Sequence, residues 1–455
     1  MKLIRGSLAS AMLGSLILLV LCPLGALCDS SDSGIEIEAT LKDDAYHYFP
    51  NGINDEIFAE WWYFNGVSDD VQFLFSYFLI DPDNASGMRK IQVLAVVLED
   101  LPLICLYNGE EFTASHDRPY VAIDGREMFA LDNTTYQVMG SCPDTMTGSP
   151  IVWNLTYESL AAPSFGMPVP IHVGHINGSW MQWLSYMPSA KVTGTIRFGN
   201  ISRDVDAIGY HDHNWGRWLF NDPQWNWAQV STPEDEFSLT LGDVIGSERN
   251  TNISVKYEGE SIIFGQEGQA VINYDEFAFD QTTASVYPTT YKVSAENGKY
   301  GLKMRIDVLK NVPLFVSYPE PLPSYMIFEQ VSAFDGKLSD ENGTIYQFEQ
   351  MGFSEYTTHQ LHTIYGMVTA PDPRNTTVVA TNLRTGQRKS AHLSSEGYFS
   401  LDANFEDYLN DSTAPWVMNG DKIILKAQDL SRRENATSLV VDMSTDRQEA
   451  TIVLV

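Results

Sequence analysis

Hydrophobic and polar residues alternate along most of the chain. Val71, Phe73, Phe75, Tyr77 and Leu79 fall on one side of a strand. Val192, Gly194, Ile196 and Phe198 do the same, with Thr193, Thr195 and Arg197 opposite, and Phe237, Leu239 and Leu241 repeat the pattern. A period of two marks antiparallel strands with unlike faces. Turn residues punctuate the runs at Asp83-Asn84, Asp124-Gly125, Asn297-Gly298 and Asn342-Gly343, where hairpins need backbone that Asn, Asp and Gly adopt readily. The pattern predicts an all-β protein of barrels or sandwiches. From Ile364 onward the strands become short and closely spaced, which predicts a small C-terminal β-sandwich over residues 362–455, with no evident catalytic group. The chain of 455 residues is too long for one ordinary core. Residues 36–361 have room for two barrels of similar size, although no repeat is legible by sequence identity.

The first segment breaks the pattern. Lys2 and Arg5 precede an uncharged apolar run from Leu8 to Leu27, interrupted by Pro23 and Gly25, with small residues at Ala26 and Cys28. This predicts a signal peptide over residues 1–28; retention as an N-terminal anchor is the alternative. The expected location is therefore secreted or at the cell surface. With 59 acidic and 28 basic residues the net charge is −31, and loss of Lys2 and Arg5 with the signal makes it −33. Such a charge argues against nucleic acid as a partner, and association with a membrane surface would have to overcome its repulsion from anionic headgroups. Outside the signal only Cys105 and Cys142 remain, either as a disulfide permitted by export or as two buried thiols. Ten N-x-S/T sequons, at Asn84, Asn133, Asn154, Asn177, Asn200, Asn252, Asn342, Asn375, Asn410 and Asn435, fit a glycoprotein or a chance yield of a chain rich in these residues.

Two runs carry candidate chemistry. In Gly209-Tyr-His-Asp-His-Asn-Trp-Gly216, an extended backbone puts Tyr210, Asp212 and Asn214 on one face and His211, His213 and Trp215 on the other. A carboxyl desolvated among aromatic walls keeps its proton near neutral pH and becomes a general acid. The competing reading is a hydrogen-bonded strand end with Trp215 plugging a barrel. In Ala59-Glu-Trp-Trp-Tyr-Phe-Asn-Gly66, Trp61 and Tyr63 share a face, and Glu60 is expected to pair with a cation such as Arg217. A metal site built from His211 and His213 with His359 and His362 requires the two pairs to meet; the expectation is no metal and no cofactor. A serine-hydrolase elbow, a P-loop and a dinucleotide glycine fingerprint are absent from the sequence.

Glu60-Trp-Trp-Tyr-Phe-Asn-Gly66 and Tyr210-His-Asp-His-Asn-Trp-Gly216 together resemble the signatures of the carotenoid hydratase–AttH family, also called hydroxyneurosporene synthase-like, and Gly352-Phe-Ser-Glu-Tyr356 resembles a segment of its second half. The resemblance spans residues 40–361. It implies two lipocalin-like antiparallel β-barrel domains, over 36–220 and 221–361, with a cavity at or between them. It also implies cofactor-free chemistry on apolar, often isoprenoid, substrates. Asp212 matches the family's catalytic aspartate and Tyr210 the tyrosine two residues before it. Trp183 or Trp180 stands for a tryptophan of the family site, while its histidine has no secure counterpart near His175. The C-terminal segment resembles carboxypeptidase-regulatory-like or transthyretin-like modules.

The expected function is a hydratase, cyclase or isomerase. Asp212 and Tyr210 would perform the chemistry. Asn214, Trp183, Trp180, Trp61, Tyr63 and Trp215 would line the site for an apolar small molecule. The alternative is a lipid-binding lipocalin-like surface protein with the same cavity and no turnover.

Overall fold

The computed structural model describes residues 39–49, 58–99, 101–173, 179–218, 223–245, 249–316, 324–360, 362–402, 417–445 and 447–454. The expected signal segment, His175 and the sequons at Asn177 and Asn410 lie outside these residues. Among them the regular structure is strand, apart from single 3-10 turns at Pro233–Asp235 and Pro373–Asn375.

The first lipocalin-like sheet has twelve strands and is centred on Phe58–Val67, Ile201–Arg217 and Trp180–Phe198, paired antiparallel in that order. It curls around a core that holds Phe73, Phe75, Tyr77, Leu79, Val192, Ile196 and Phe198, the alternating positions of the sequence. Cys105, on the edge strand Leu103–Asn108, is disulfide-bonded to Cys142 of Thr135–Pro143. These strands are not neighbours in the sheet order, so the bridge ties the curl together.

The second sheet has nine strands and repeats the plan. Its first strand, Gln224–Thr232, lies beside its last long strand, Gly343–Gln360, just as Phe58–Val67 lies beside Ile201–Arg217. Phe237, Leu239 and Leu241 face its own core. Beyond it, a three-stranded and a four-stranded sheet enclose Ile364, Phe399 and Leu425 to form the C-terminal sandwich. Its Tyr398 stacks on Phe279 of the second barrel at 4.4 Å.

The strand Phe58–Val67 is buried along its whole length. Phe58, Trp62 and Phe64 point into the first barrel. Ala59, Trp61, Tyr63 and Val67 point outward, into a separate core shared with Trp225, Trp227, Val244, Ile327 and Phe353 of the second barrel. Alternation here runs between two apolar regions rather than between core and water, which is why the stretch reads as continuously aromatic. Each large side chain buried there contributes roughly 1.5–3 kcal/mol before entropy is counted. This shared core fixes one barrel against the other and surrounds the site.

Candidate active site

Three adjacent strands place the central carboxylate. Asp212 has Tyr63 opposite it on one neighbouring strand and Ser185 on the other, while Asn214 lies between Trp61 and Trp183. The pleat sends Tyr210, Asp212 and Asn214 outward from the first barrel. Asp212, 4% exposed, opens onto a cavity between the barrels. Trp61, Tyr63, Trp183 and Asn214 line the same cavity.

The hydrogen-bond partners of Asp212 are all neutral. Nε1 of Trp183 donates to its Oδ2 at 2.8 Å, the Tyr210 hydroxyl donates to Oδ2 at 2.9 Å, and Nδ2 of Asn214 donates to Oδ1 at 3.2 Å. Burial pushes the Asp212 carboxyl up to about 7, against the lowering effect of the Trp183 and Tyr210 donors and with a further rise from Glu355. Tyr210 is itself held well above the ordinary phenol range, by burial first and the Asp212 charge second, so it stays a donor. The arrangement is a carboxylic acid that keeps its proton to near neutral pH in an apolar chamber, with three donors ready to receive the charge it leaves behind.

Trp183 is held by two glycines. A Cβ on Gly166 or on Gly242 would overlap its indole. Gly242 belongs to the second barrel, so the tryptophan that touches Asp212 is seated partly by the other domain.

The second barrel contributes the opposite wall, which the sequence reading did not anticipate. Glu329 and Glu355 face each other on adjacent strands and line the cavity, Glu329 buried and Glu355 half-buried. Nε1 of Trp225 donates to Glu355 Oε2 at 2.7 Å, and the Tyr63 hydroxyl donates to Glu329 Oε2 at 3.4 Å. Burial, and next the charge of Glu355, push the Glu329 carboxyl well above the ordinary range; burial raises Glu355 as well. Trp227 and Asn226 also line the cavity, and Oδ1 of Asn226 is buried without a hydrogen-bond partner among the described residues. The signal for Glu355 lay inside Gly352-Phe-Ser-Glu-Tyr356. For Glu329 it was a lone acid among apolar strand residues.

Two expected lining residues are elsewhere. Trp215 points into the first barrel, where its ring stacks on His47 at 3.9 Å. Trp180 packs against the same core. Strand parity is the reason: Trp215 is one residue out of phase with Asn214, and Trp180 is three from Trp183, hence on the other face. Glu60 is also on that inner face. Its partners are His47, through the backbone N–H at 2.9 Å, and His213 Nε2 at 2.9 Å, not the expected arginine. Burial raises the Glu60 carboxyl to about 6 while His213 opposes the rise. Buried Asp44 lies 3.1 Å from His211 and 3.2 Å from His213, and the two imidazoles hold it below the usual carboxylate range against its burial. Donor atoms of His47, Glu60 and His213 lie within 4.8 Å of one another, close enough for a small cation, though already joined by hydrogen bonds. Of the histidines weighed for a metal, His362 is apart from the other two: His211 and His213 bond to Asp44 in the first barrel, and His362 bonds to Thr445 and Gln448 in the sandwich. The side chain of His359 is outside the described residues. Among the sequons, Asn252 is 8% exposed with its amide donating to Gly166 O, which leaves no room for a glycan.

No protein-family model and no curated protein matches the chain. Solved structures do match in fold. A Nitrosomonas europaea protein described as AttH superposes with a TM-score of 0.52 at 14% identity, covering 70% of this chain and 95% of its own. Kievitone hydratase from Nectria haematococca superposes with a TM-score of 0.49 at 11% identity, covering 71% of this chain and 96% of its own. At such identities the likeness is one of architecture.

Proposed function

We propose that the chain is a hydratase-type enzyme acting on an apolar, unsaturated, isoprenoid-like small molecule, with Asp212 as its general acid. One observation carries the reading: Asp212 faces an apolar interdomain cavity, keeps its proton to about pH 7 and is bonded only by neutral donors. The motif resemblance, which aligns Asp212 and Tyr210 with a catalytic pair, supports the same assignment.

The steps follow from that geometry. The Asp212 proton passes to one carbon of a C=C bond, whose π pair forms the new C–H bond. The other carbon is left cationic. The new carboxylate is stabilised where it stands by Trp183, Tyr210 and Asn214, donors that need no reorientation. A water oxygen then attacks the cation, and the proton it sheds returns to Asp212, so water is added and the acid is regenerated. Loss of a different proton, or attack by a second C=C bond, would give an isomer or a ring. Aromatic walls suit such an intermediate because their faces attract positive charge. We further propose export, which the Cys105–Cys142 bridge supports, since disulfides persist mainly in oxidising compartments.

The test compares apolar molecules that co-purify with the wild-type protein and with Asp212→Asn, by mass spectrometry. The expected outcome is two molecules differing by one water or by a rearrangement. General acids of this kind contribute about 10²–10⁴-fold, so Asp212→Asn should lose turnover by that factor. The same unaltered lipid on both proteins would make the chain a carrier and end the enzyme reading.

A further inference from the structure

Glu329 and Glu355 do something the proton transfer above does not require. They stand directly opposite each other across neighbouring strands, Glu329 buried and Glu355 half-buried, both at the cavity. A fold gains nothing by placing two carboxyls there: like charges side by side in an apolar region are costly, and apolar residues would pack the position better. Their surroundings are also particular. Trp61 and Trp225 lie nearly parallel with ring centroids 6.3 Å apart, and Tyr63 meets Trp227 edge-on at 5.4 Å. All four rings line the cavity. Asn226, 3% exposed, adds an unpartnered carbonyl oxygen, Oδ1, while its Nδ2 is committed to Asp243 at 3.0 Å. Aromatic faces, carboxylate oxygens and an amide oxygen have one property in common: each attracts a diffuse positive charge, and none requires a hydrogen-bond donor from it.

We infer that Glu329, Glu355, Asn226 and the surrounding Trp and Tyr rings form a binding site for a bulky, weakly hydrated cationic centre. It would hold a tertiary carbocation during turnover or the quaternary ammonium group of a ligand at rest. The carbocation part rests on the hydratase reading; the ammonium part does not. Burial and the neighbouring Glu355 charge keep a proton on Glu329; a bound cation favours the ionised form, so binding the cation releases that proton to solvent.

The experiment is isothermal titration of the full-length protein at pH 6, where Asp212 keeps its proton, with benzyltrimethylammonium and with its neutral carbon isostere, neopentylbenzene. Wild type should prefer the cation by about tenfold or more, the scale of a desolvated cation–π contact joined to a charge. It should also release close to one proton per cation bound, read from buffers of different ionisation enthalpy. The double substitution Glu329→Gln/Glu355→Gln should abolish both the preference and the proton release. It replaces an acid pair that is costly in an apolar region with neutral amides, so its melting temperature should not fall. Trp61→Leu, which keeps both carboxyls, should weaken the preference and serves if the double variant does not fold. Asp212→Asn should keep the preference. Equal binding of the two probes by wild type, no binding of either, or an unchanged preference in the double variant would each overturn the site. An intact preference in a protein whose Asp212→Asn variant carries the same lipid as wild type would instead remove the hydratase reading and leave the cation site standing.

Discussion

The contact between Trp183 and Asp212 has an effect of definite sign. The indole N–H bonds the ionised carboxyl and so lowers its pKa, opposing burial, which sets it at about 7. Trp183→Phe removes that opposition. The carboxyl then keeps its proton to higher pH, and the falling limb of the pH–rate profile should move upward from about 7. The rate on the low-pH plateau should fall, because the remaining carboxylate is less well stabilised and the acid is weaker. A pH–rate profile of the variant checks both, and a limb that stays in place would show that Trp183 merely fills space. At this scale the sequence was informative. Tyr210, Asp212 and Asn214 share the face that alternation assigned to them. The pairing of Glu329 with Glu355 was not legible, because residues 26 apart become neighbours only through register across a long hairpin.

Strands fail the sequence reader in a particular way: they say which residues go together but not which side matters. Trp180, Trp183 and Trp215 look equivalent as aromatic residues beside one motif, yet Trp183 alone reaches the cavity. The composition of the run Phe58–Val67 hid the same choice, since both of its faces are apolar. Glycines carried a quieter signal. Gly242, in the middle of Phe237–Ile245, interrupts an apolar strand because the Trp183 indole occupies its side-chain space. Gly242→Val should therefore displace Trp183 and break its bond to Asp212. Overpacking of this kind costs about 1–3 kcal/mol. Turnover should fall further than stability does, by roughly the 10²-fold that misplacing a catalytic group can cost. Comparing kcat with the denaturation midpoint separates the two effects, and equal, modest losses in both would refute the positioning role.

Across the whole molecule, the two barrels share a plan that identity between their sequences does not record. Each sheet joins the beginning of its segment to its end at the centre. Their first barrel carries the one disulfide seen among the described residues, closing a stretch with a sequence separation of 37. Loop-closure entropy for that length is worth about 4 kcal/mol. Cys105→Ser/Cys142→Ser should lose stability on that order in urea, with the loss appearing first in the transition of the first barrel. A change below about 1 kcal/mol would mean that strand pairing alone holds the curl. The two-barrel arrangement was foreseeable from length, alternation and motif resemblance. The way the barrels meet was not, because it depends on outward-facing side chains whose partner lies in another domain.

That meeting has an evolutionary consequence. The proposed proton donor, Asp212, belongs to one barrel and the paired carboxyls belong to the other. Substitutions in the far wall that leave Gly242 and Glu355 in place can thus change which molecule is accepted while Trp183 and Asp212 stay as they are. A lineage built on this scaffold can keep its chemistry in one half while its choice of substrate drifts in the other.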